Sequence, residues 1–252
     1  MNDLIPIKDF VVNATGRAKK LTNSESPFDL LDNKELAMLA DCYNAEANLE
    51  VTPEEVFKAI APTLKPSGEI PCISFFKAPV KNITPRMEIN ILDVYKAIRN
   101  GYYKAKTNTL RSLENDEKRQ GEFKASQLDY VTFSGTFHKR SEPNLKTHSG
   151  LICIDIDHID FSKLQDLKAE LKKEPFTILL FTSPRGNGLK LIVKISGITA
   201  ETHKEAFEIV KIYIENKYSI TVDKSGIDLS RACFLCYDSE AFINPNLFKN
   251  EL

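Results

Sequence analysis

The stretch "LICIDID", residues 151–157, constrains the fold of this chain more than any other. Ile152, Ile154 and Ile156 alternate with Cys153, Asp155 and Asp157, and a period of two marks a strand with one apolar face. The isoleucines point one way, toward a core, and the carboxylates point the other. Slipping the strand by one residue would exchange the two sets. A buried carboxylate is costly unless a cation or donor meets it, so the face opposite the isoleucines must offer water or positive charge.

That charge lies downstream. "FTILLFTS" (176–183) and "LKLIVKI" (189–195) read as two strands joined by the tight-turn sequence "PRGNG". In the second strand Leu189, Leu191, Val193 and Ile195 take one face, while Lys190, Ile192 and Lys194 take the other. If both apolar sets meet the same helices, Asp155, Asp157, Lys190 and Lys194 share the exposed face. "FSKLQDLKAELKKE" (161–174) and "TAETHKEAFEIVKIYIENKY" (199–218) supply those helices, and "SITVD" (219–223) and "RACFLCYD" (231–238) follow as further strands. The order β-α-β-β-α-β predicts an α+β fold with a split βαβ (ferredoxin- or RRM-like) core, both helices on one face and the other face open.

Residues 1–70 read as a separate helical region. "SPFDLLDNKELAMLADCYN" spaces Leu30, Leu31, Leu36, Leu39 and Ala40 as a helix does, and "TPEEVFKAIAPTL" opens with a Thr cap and Pro at the first turn. "KPSGEIP" (65–71) reads as the linker to a second domain over 71–252. Within that domain, residues 88–119 supply one or two amphipathic helices, and "YVTFSGTF" (130–137) reads as a strand broken by Gly135.

Composition narrows the setting. A net charge of −1 and a pI near 6.5 exclude a polyanion-binding surface over the whole molecule but leave room for a local basic strip. No apolar run approaches the ~20 residues that span a bilayer, and the first residues lack a signal-peptide pattern. The expected location is the cytoplasm, with no membrane partner. Five cysteines in no framework spacing fit reduced thiols.

Three stretches carry chemistry. Alternate strand residues sit about 7 Å apart, so Asp155 and Asp157 can converge on divalent ions, and all-oxygen ligation favours Mg²⁺ or Mn²⁺ over zinc. The alternative is a wet sheet face with the acids bridged to lysines. In "SPRGNGLK" (183–190), Gly186 and Gly188 allow close backbone approach around Asn187. Ser183 and Arg185 add a hydroxyl and a guanidinium fork beside Lys190. Ordinary hairpin chemistry explains the glycines equally well. In "TVDKSGIDLSR" (221–231), Asp223 or Asp228 offers a third carboxylate and Arg231 a phosphate contact, unless Asp228 merely caps the turn and pairs with Arg231. The Cys233/Cys236 spacing and the histidines at 138, 148 and 158 read as buried thiols and scattered side chains rather than a zinc site.

Taken together, Asp155-Ile-Asp157, Ser183 to Lys190 and Asp223…Arg231 resemble the primase-polymerase domain of the archaeo-eukaryotic primase superfamily. "SGLICIDIDHID", "TSPRGNGLKLIVKI" and "SRACFLCYD" look still more like the VirE N-terminal domain family of mobile-element proteins, over roughly residues 70–240. The resemblance implies a nucleotidyltransferase in DNA replication that takes a nucleoside triphosphate and a single-stranded nucleic acid, with a helicase as a partner. It places metals on Asp155, Asp157 and Asp223 or Asp228. Triphosphate contacts fall to Ser183, Arg185, Lys190, Lys194 and Arg231. One departure stands out: Lys190 occupies the place where catalytic members carry His. A non-catalytic nucleic-acid or nucleotide-binding module of the same fold is therefore the rival expectation.

Overall fold

The computed structural model describes residues 70–113, 116–195 and 197–245. The helical region expected over 1–70 lies, but for its last residue, outside these. The described chain is a mixed α+β fold of antiparallel sheets with five α-helices.

The sheet that holds the key strand is built from β6 (Leu151–Ile156), β7 (Thr177–Thr182), β8 (Leu189–Lys194) and a short β10 (Phe242–Ile243), in the order β10-β7-β8-β6. Helix α4 (Phe161–Leu171) connects β6 to β7, and α5 (His203–Tyr218) follows β8. Helix α4 starts where Asp160 Oδ1 accepts the Ser162 N–H at 3.0 Å, and it buries Leu164, Lys168 and Leu171 at i, i+4 and i+7. Helix α5 buries Ala206, Phe207, Val210 and Ile214 and stops where Ser219 turns left-handed.

The parity argument from the sequence fits the packing. Ile152, Ile154, Ile156, Leu189, Leu191 and Val193 form one core with Leu164, Leu171, Phe207 and Ile214 of the two helices. Each fully buried side chain of this kind contributes roughly 1.5–3 kcal/mol, which outweighs any tendency of the strand to slip.

The open face does not materialise. A second sheet, ordered β2-β1-β3-β9, lies over it: β1 (Cys72–Phe76), β2 (Met87–Asn90), β3 (Tyr130–Thr132) and β9 (Cys233–Phe234). Its Ile73, Val131 and Cys233 pack with Leu151, Ile178, Phe181 and Ile192 of the first sheet, and helix α1 (Ile91–Arg99) adds Ile91, Val94 and Ile98. The physical reason is Ile192 together with the non-alternating "TILLF", which leave an apolar surface on that face too large to stay wet. "RACFLCYD" accordingly contributes its strand to this second sheet rather than to the first. "SITVD" is reduced to a single antiparallel bridge, Asp155 with Asp223.

Helices α2 (Lys104–Arg111) and α3 (Glu117–Gln127) precede β3. Gly135 ends the "YVTFSGTF" strand and starts β4 (Gly135–Phe137), which pairs with β5 (Leu145–His148) in a two-stranded sheet. A Cβ on Gly135 would stand 2.2 Å from the Thr147 carbonyl oxygen. Among the described residues no helix is long and apolar enough to cross a membrane.

Candidate metal and phosphate site

Two short backbone devices assemble the acids. In the β6/β8 register Asp155 stands opposite Lys190, and the Asp223 N–H donates to the Asp155 carbonyl at 2.9 Å. That one bridge draws in the third carboxylate. Oxygens of Asp155, Asp157 and Asp223 lie within 4.8 Å of one another. Asp155 is buried, Asp157 exposed and Asp223 between the two.

Each acid meets a different environment. Asp155 Oδ2 is ion-paired with Lys190 Nζ, whereas its buried Oδ1 has no hydrogen-bond partner. Asp223 accepts from the Ser225 N–H at 2.9 Å and the Ser225 hydroxyl at 2.8 Å, and Arg231 lies 3.6 Å from its Oδ2. Burial would raise the Asp223 pKa, but those hydrogen bonds, with the charges of Arg231 and Lys190, outweigh it and hold the carboxyl below its ordinary range. Asp228 stays out of the cluster. Its Oδ1 accepts from the N–H and hydroxyl of Ser230, both at 2.8 Å, so it caps its own turn.

The 183–188 turn forms one wall. Ser183 N–H donates to the Gly188 carbonyl at 2.8 Å, and Gly186 N–H to the Ser183 carbonyl at 2.9 Å. Arg111 of α2 braces it, donating to the carbonyls of Pro184 and Ser183 at 3.2 Å each. Gly188 is required by proximity: a Cβ there would sit 2.5 Å from the Ile156 carbonyl and 3.1 Å from Asp157 Oδ1. Gly186 has φ +90°, the left-handed region. Asn187 is exposed and offers its backbone carbonyl to the Ile159 N–H at 2.9 Å.

These elements enclose a pocket of about 280 Å³ lined by Asp155, Asp157, Ser183, Arg185, Lys190 and Arg231, with Asp228 also on its wall. Two further cations line it from the side of the second sheet, Lys124 of α3 and Arg140 beyond β4. Sequence reasoning missed both. Lys124 lies in the charge-rich stretch 113–124 and Arg140 in the basic segment 136–148, and only the packing of the second sheet, which local pattern does not show, brings them to the pocket. Lys124 is half-buried, and burial followed by the Arg185 and Lys190 charges pushes its ammonium pKa down.

Lys194 falls elsewhere. It stands opposite Leu151 at the far end of β8, buried, against a different cleft that includes Glu88 and His148. The histidines at 138, 148 and 158 do not converge. Instead His148 Nε2 lies 3.0 Å from His203 Nδ1, a partner the sequence did not suggest.

Four buried side-chain atoms lack a hydrogen-bond partner among the described residues: Arg140 Nε, Asp155 Oδ1, Ser183 Oγ and Arg185 Nε. All four residues line this one pocket. An unsatisfied buried polar group costs roughly 1–3 kcal/mol, so the four in this one cavity call for ordered water or a polar ligand. Hard oxygen donors with an unused buried carboxylate oxygen fit Mg²⁺ or Mn²⁺. Asp157 and Asp223 also border a wider cleft of about 950 Å³, with Asp160, Asp166 and Glu170 on its rim and one lysine, Lys163, in return. The positive charge is thus gathered in the smaller pocket rather than in the wider cleft.

The arrangement sets three clustered carboxylates beside a small pocket lined largely by cations. In the comparisons, residues 123–242, just under half of the chain, match the family described as BT4734-like, N-terminal domain. No curated protein and no solved structure matches the chain.

Proposed function

We propose that this chain is a primase/polymerase-like nucleotidyltransferase domain that binds a nucleoside triphosphate and divalent metal on the Asp155–Asp157–Asp223 face. One observation carries the reading: three carboxylates gathered within 4.8 Å adjoin a cation-lined pocket that holds the buried, unpartnered Ser183 hydroxyl. The strand order supports it. β6, β8 and β7 lie side by side with two connecting helices, and Asp223 bridges the far edge of β6, the position a fourth strand takes in a split βαβ core. The resemblance to the VirE N-terminal and primase-polymerase families points the same way.

In this reading Asp155, Asp157 and Asp223 hold Mg²⁺ or Mn²⁺. The ion, when bound, stabilises negative charge on the phosphoryl group and the leaving pyrophosphate. The chain's own residues do the rest. Ser183 donates its hydroxyl proton to a phosphate oxygen, Arg185 and Arg231 present guanidinium N–H groups, and the bare Gly188 lets phosphate approach the backbone. Lys190 leaves Asp155 to neutralise phosphate as the ligand enters.

The test is incorporation of labelled nucleotide on a single-stranded template with Mn²⁺. The expected outcome is extension by the native protein and none after Asp155→Ala with Asp157→Ala. The reading fails if the native protein extends nothing and the double variant binds nucleotide unchanged.

A second reading is a non-catalytic nucleic-acid or nucleotide-binding module. The ion pair between Lys190 and Asp155 favours it, because the hairpin cation already neutralises the deepest carboxylate. Binding of single-stranded DNA that persists in EDTA and in the double variant would select this module over the enzyme.

A further inference from the structure

The cations of the pocket come from both layers of the fold, and three of them make no direct ion pair. Lys190 is matched by Asp155 and Arg231 by Asp223. Lys124, Arg140 and Arg185 have no ion-pair partner among the described residues. Arg185 donates to the Glu117 carbonyl at 3.4 Å, and Arg140 to the Val80 carbonyl at 3.2 Å while lying 5.1 Å from the centre of the Tyr130 ring. Each still has a buried Nε without an acceptor. Facing them is Ser183, 3% exposed, with an unpartnered hydroxyl. Asp157 and Asp228 line the same pocket, and Asp157 acts on Lys124, but the five cations still outnumber its three carboxylates, an excess that an anionic ligand offsets.

We propose that Lys124 and Arg140, from the second-sheet side, close a two-sided polyphosphate clamp on Ser183 and Arg185 of the hairpin, and that the clamp grips a ligand of at least two linked phosphates without any metal. A diphosphate or triphosphate offers more oxygens than a single phosphate does to donors that come from two layers of the fold. Arg140 contributes a planar fork held in place by the Tyr130 ring, and Lys124 a point charge. The inference deepens the proposed function, resting on the same pocket. It differs in assigning affinity to residues outside the sequence motifs and in not requiring the carboxylates.

The experiment is calorimetric titration of the full chain with inorganic tripolyphosphate and, separately, orthophosphate, in EDTA at low ionic strength. Native protein is expected to bind tripolyphosphate at least tenfold more tightly than orthophosphate. Lys124→Gln and Arg140→Ala should each weaken tripolyphosphate about tenfold, the effect of losing one charge-assisted contact. Because Arg140 also packs on Tyr130, Arg140→Lys is measured alongside. It keeps the charge and should recover part of the affinity, and matching melting curves certify the fold. Asp155→Asn with Asp157→Asn should bind tripolyphosphate at least as well as the native chain. No binding by native protein in EDTA, equal affinity for orthophosphate, or changes under twofold in Lys124→Gln and folded Arg140→Lys would each overturn the clamp. Failure of nucleotide incorporation with the clamp intact refutes the enzyme alone, and incorporation without metal-free polyphosphate binding refutes the clamp alone.

Discussion

Two buried lysine–aspartate pairs in this molecule look alike and differ in one respect. Lys168 Nζ sits 2.7 Å from Asp238 Oδ2, with side chains 1% and 8% exposed, and Lys190 pairs with Asp155 at 12% and 10%. The first pair is saturated. Lys168 also donates to Thr182 Oγ1 at 3.1 Å, Asp238 Oδ2 accepts the Thr182 N–H at 2.7 Å, and Oδ1 accepts the Glu240 N–H at 2.9 Å. The second pair leaves Asp155 Oδ1 unused and opens onto a pocket. A closed network fixes the hairpin strand to the chain after β9. An incomplete one is where a ligand can finish the coordination.

Breaking the saturated pair should have the largest effect. Lys168→Ala strands a buried carboxylate and is expected to cost about 3–5 kcal/mol in urea unfolding, with no recovery in Mg²⁺ or Mn²⁺. Lys190→Ala should cost less, because Asp155 borders solvent in the pocket. Its loss should shrink as Mn²⁺ is added, approaching ~2.7 kcal/mol of recovery at a hundredfold excess over the dissociation constant. Equal rescue of both variants, or of neither, would erase the distinction.

An uncharged pair sharpens the comparison. Gly150 N–H donates to His148 Nδ1 at 3.0 Å, which leaves His148 Nε2–H to donate to His203 Nδ1, and His203 Nε2–H to the Gly226 carbonyl at 3.2 Å. Both rings are thus neutral. Burial, then His203, pushes His148 down to about 4 against the pull of Glu201; burial also lowers His203 despite Gly226, Asp228 and Glu205. With the folded pKa depressed, the unfolded chain takes up protons first. The stability is whole above about 6.5 and is lost as pH falls toward 4, on the order of 2 kcal/mol allowing for partial exposure. Urea titrations across that window should show the slope, and His148→Asn should flatten it.

The last effect is expected at the turn. Gly188→Ala puts a methyl 2.5 Å from the Ile156 carbonyl, so the backbone must give way, and should cost about 1–3 kcal/mol. Tripolyphosphate affinity should fall with it, whereas a turn of purely structural importance would lose stability alone.

What the sequence made legible follows from range. The alternation in 151–157 assigned Ile152, Ile154 and Ile156 to the helical core, and "PRGNG" marked the hairpin, because both are settled by neighbours a few residues away. Asp223 could be named as one of two candidates, but choosing it over Asp228 needed the backbone bridge to Asp155, 68 residues earlier in the chain. The second sheet was illegible as a cover: its strands are two to five residues long, from four separate stretches. Lys190 and Lys194 share a face and a strand, yet only Lys190 reaches the acids. Parity tells which side a side chain takes, not which end of a ladder holds the chemistry.

The division of the pocket between layers has a mechanical consequence. The three carboxylates ride on β6 and the residue bridged to it, whereas Lys124 and Arg140 ride with the opposing sheet. In the proposed clamp, sliding one sheet over the other by an ångström would alter the grip on an anion while the backbone bridge keeps Asp223 beside Asp155. Interlayer residues such as Ile73, Val131 and Ile192, none of which line the pocket, would then act as a tuning screw on the proposed clamp.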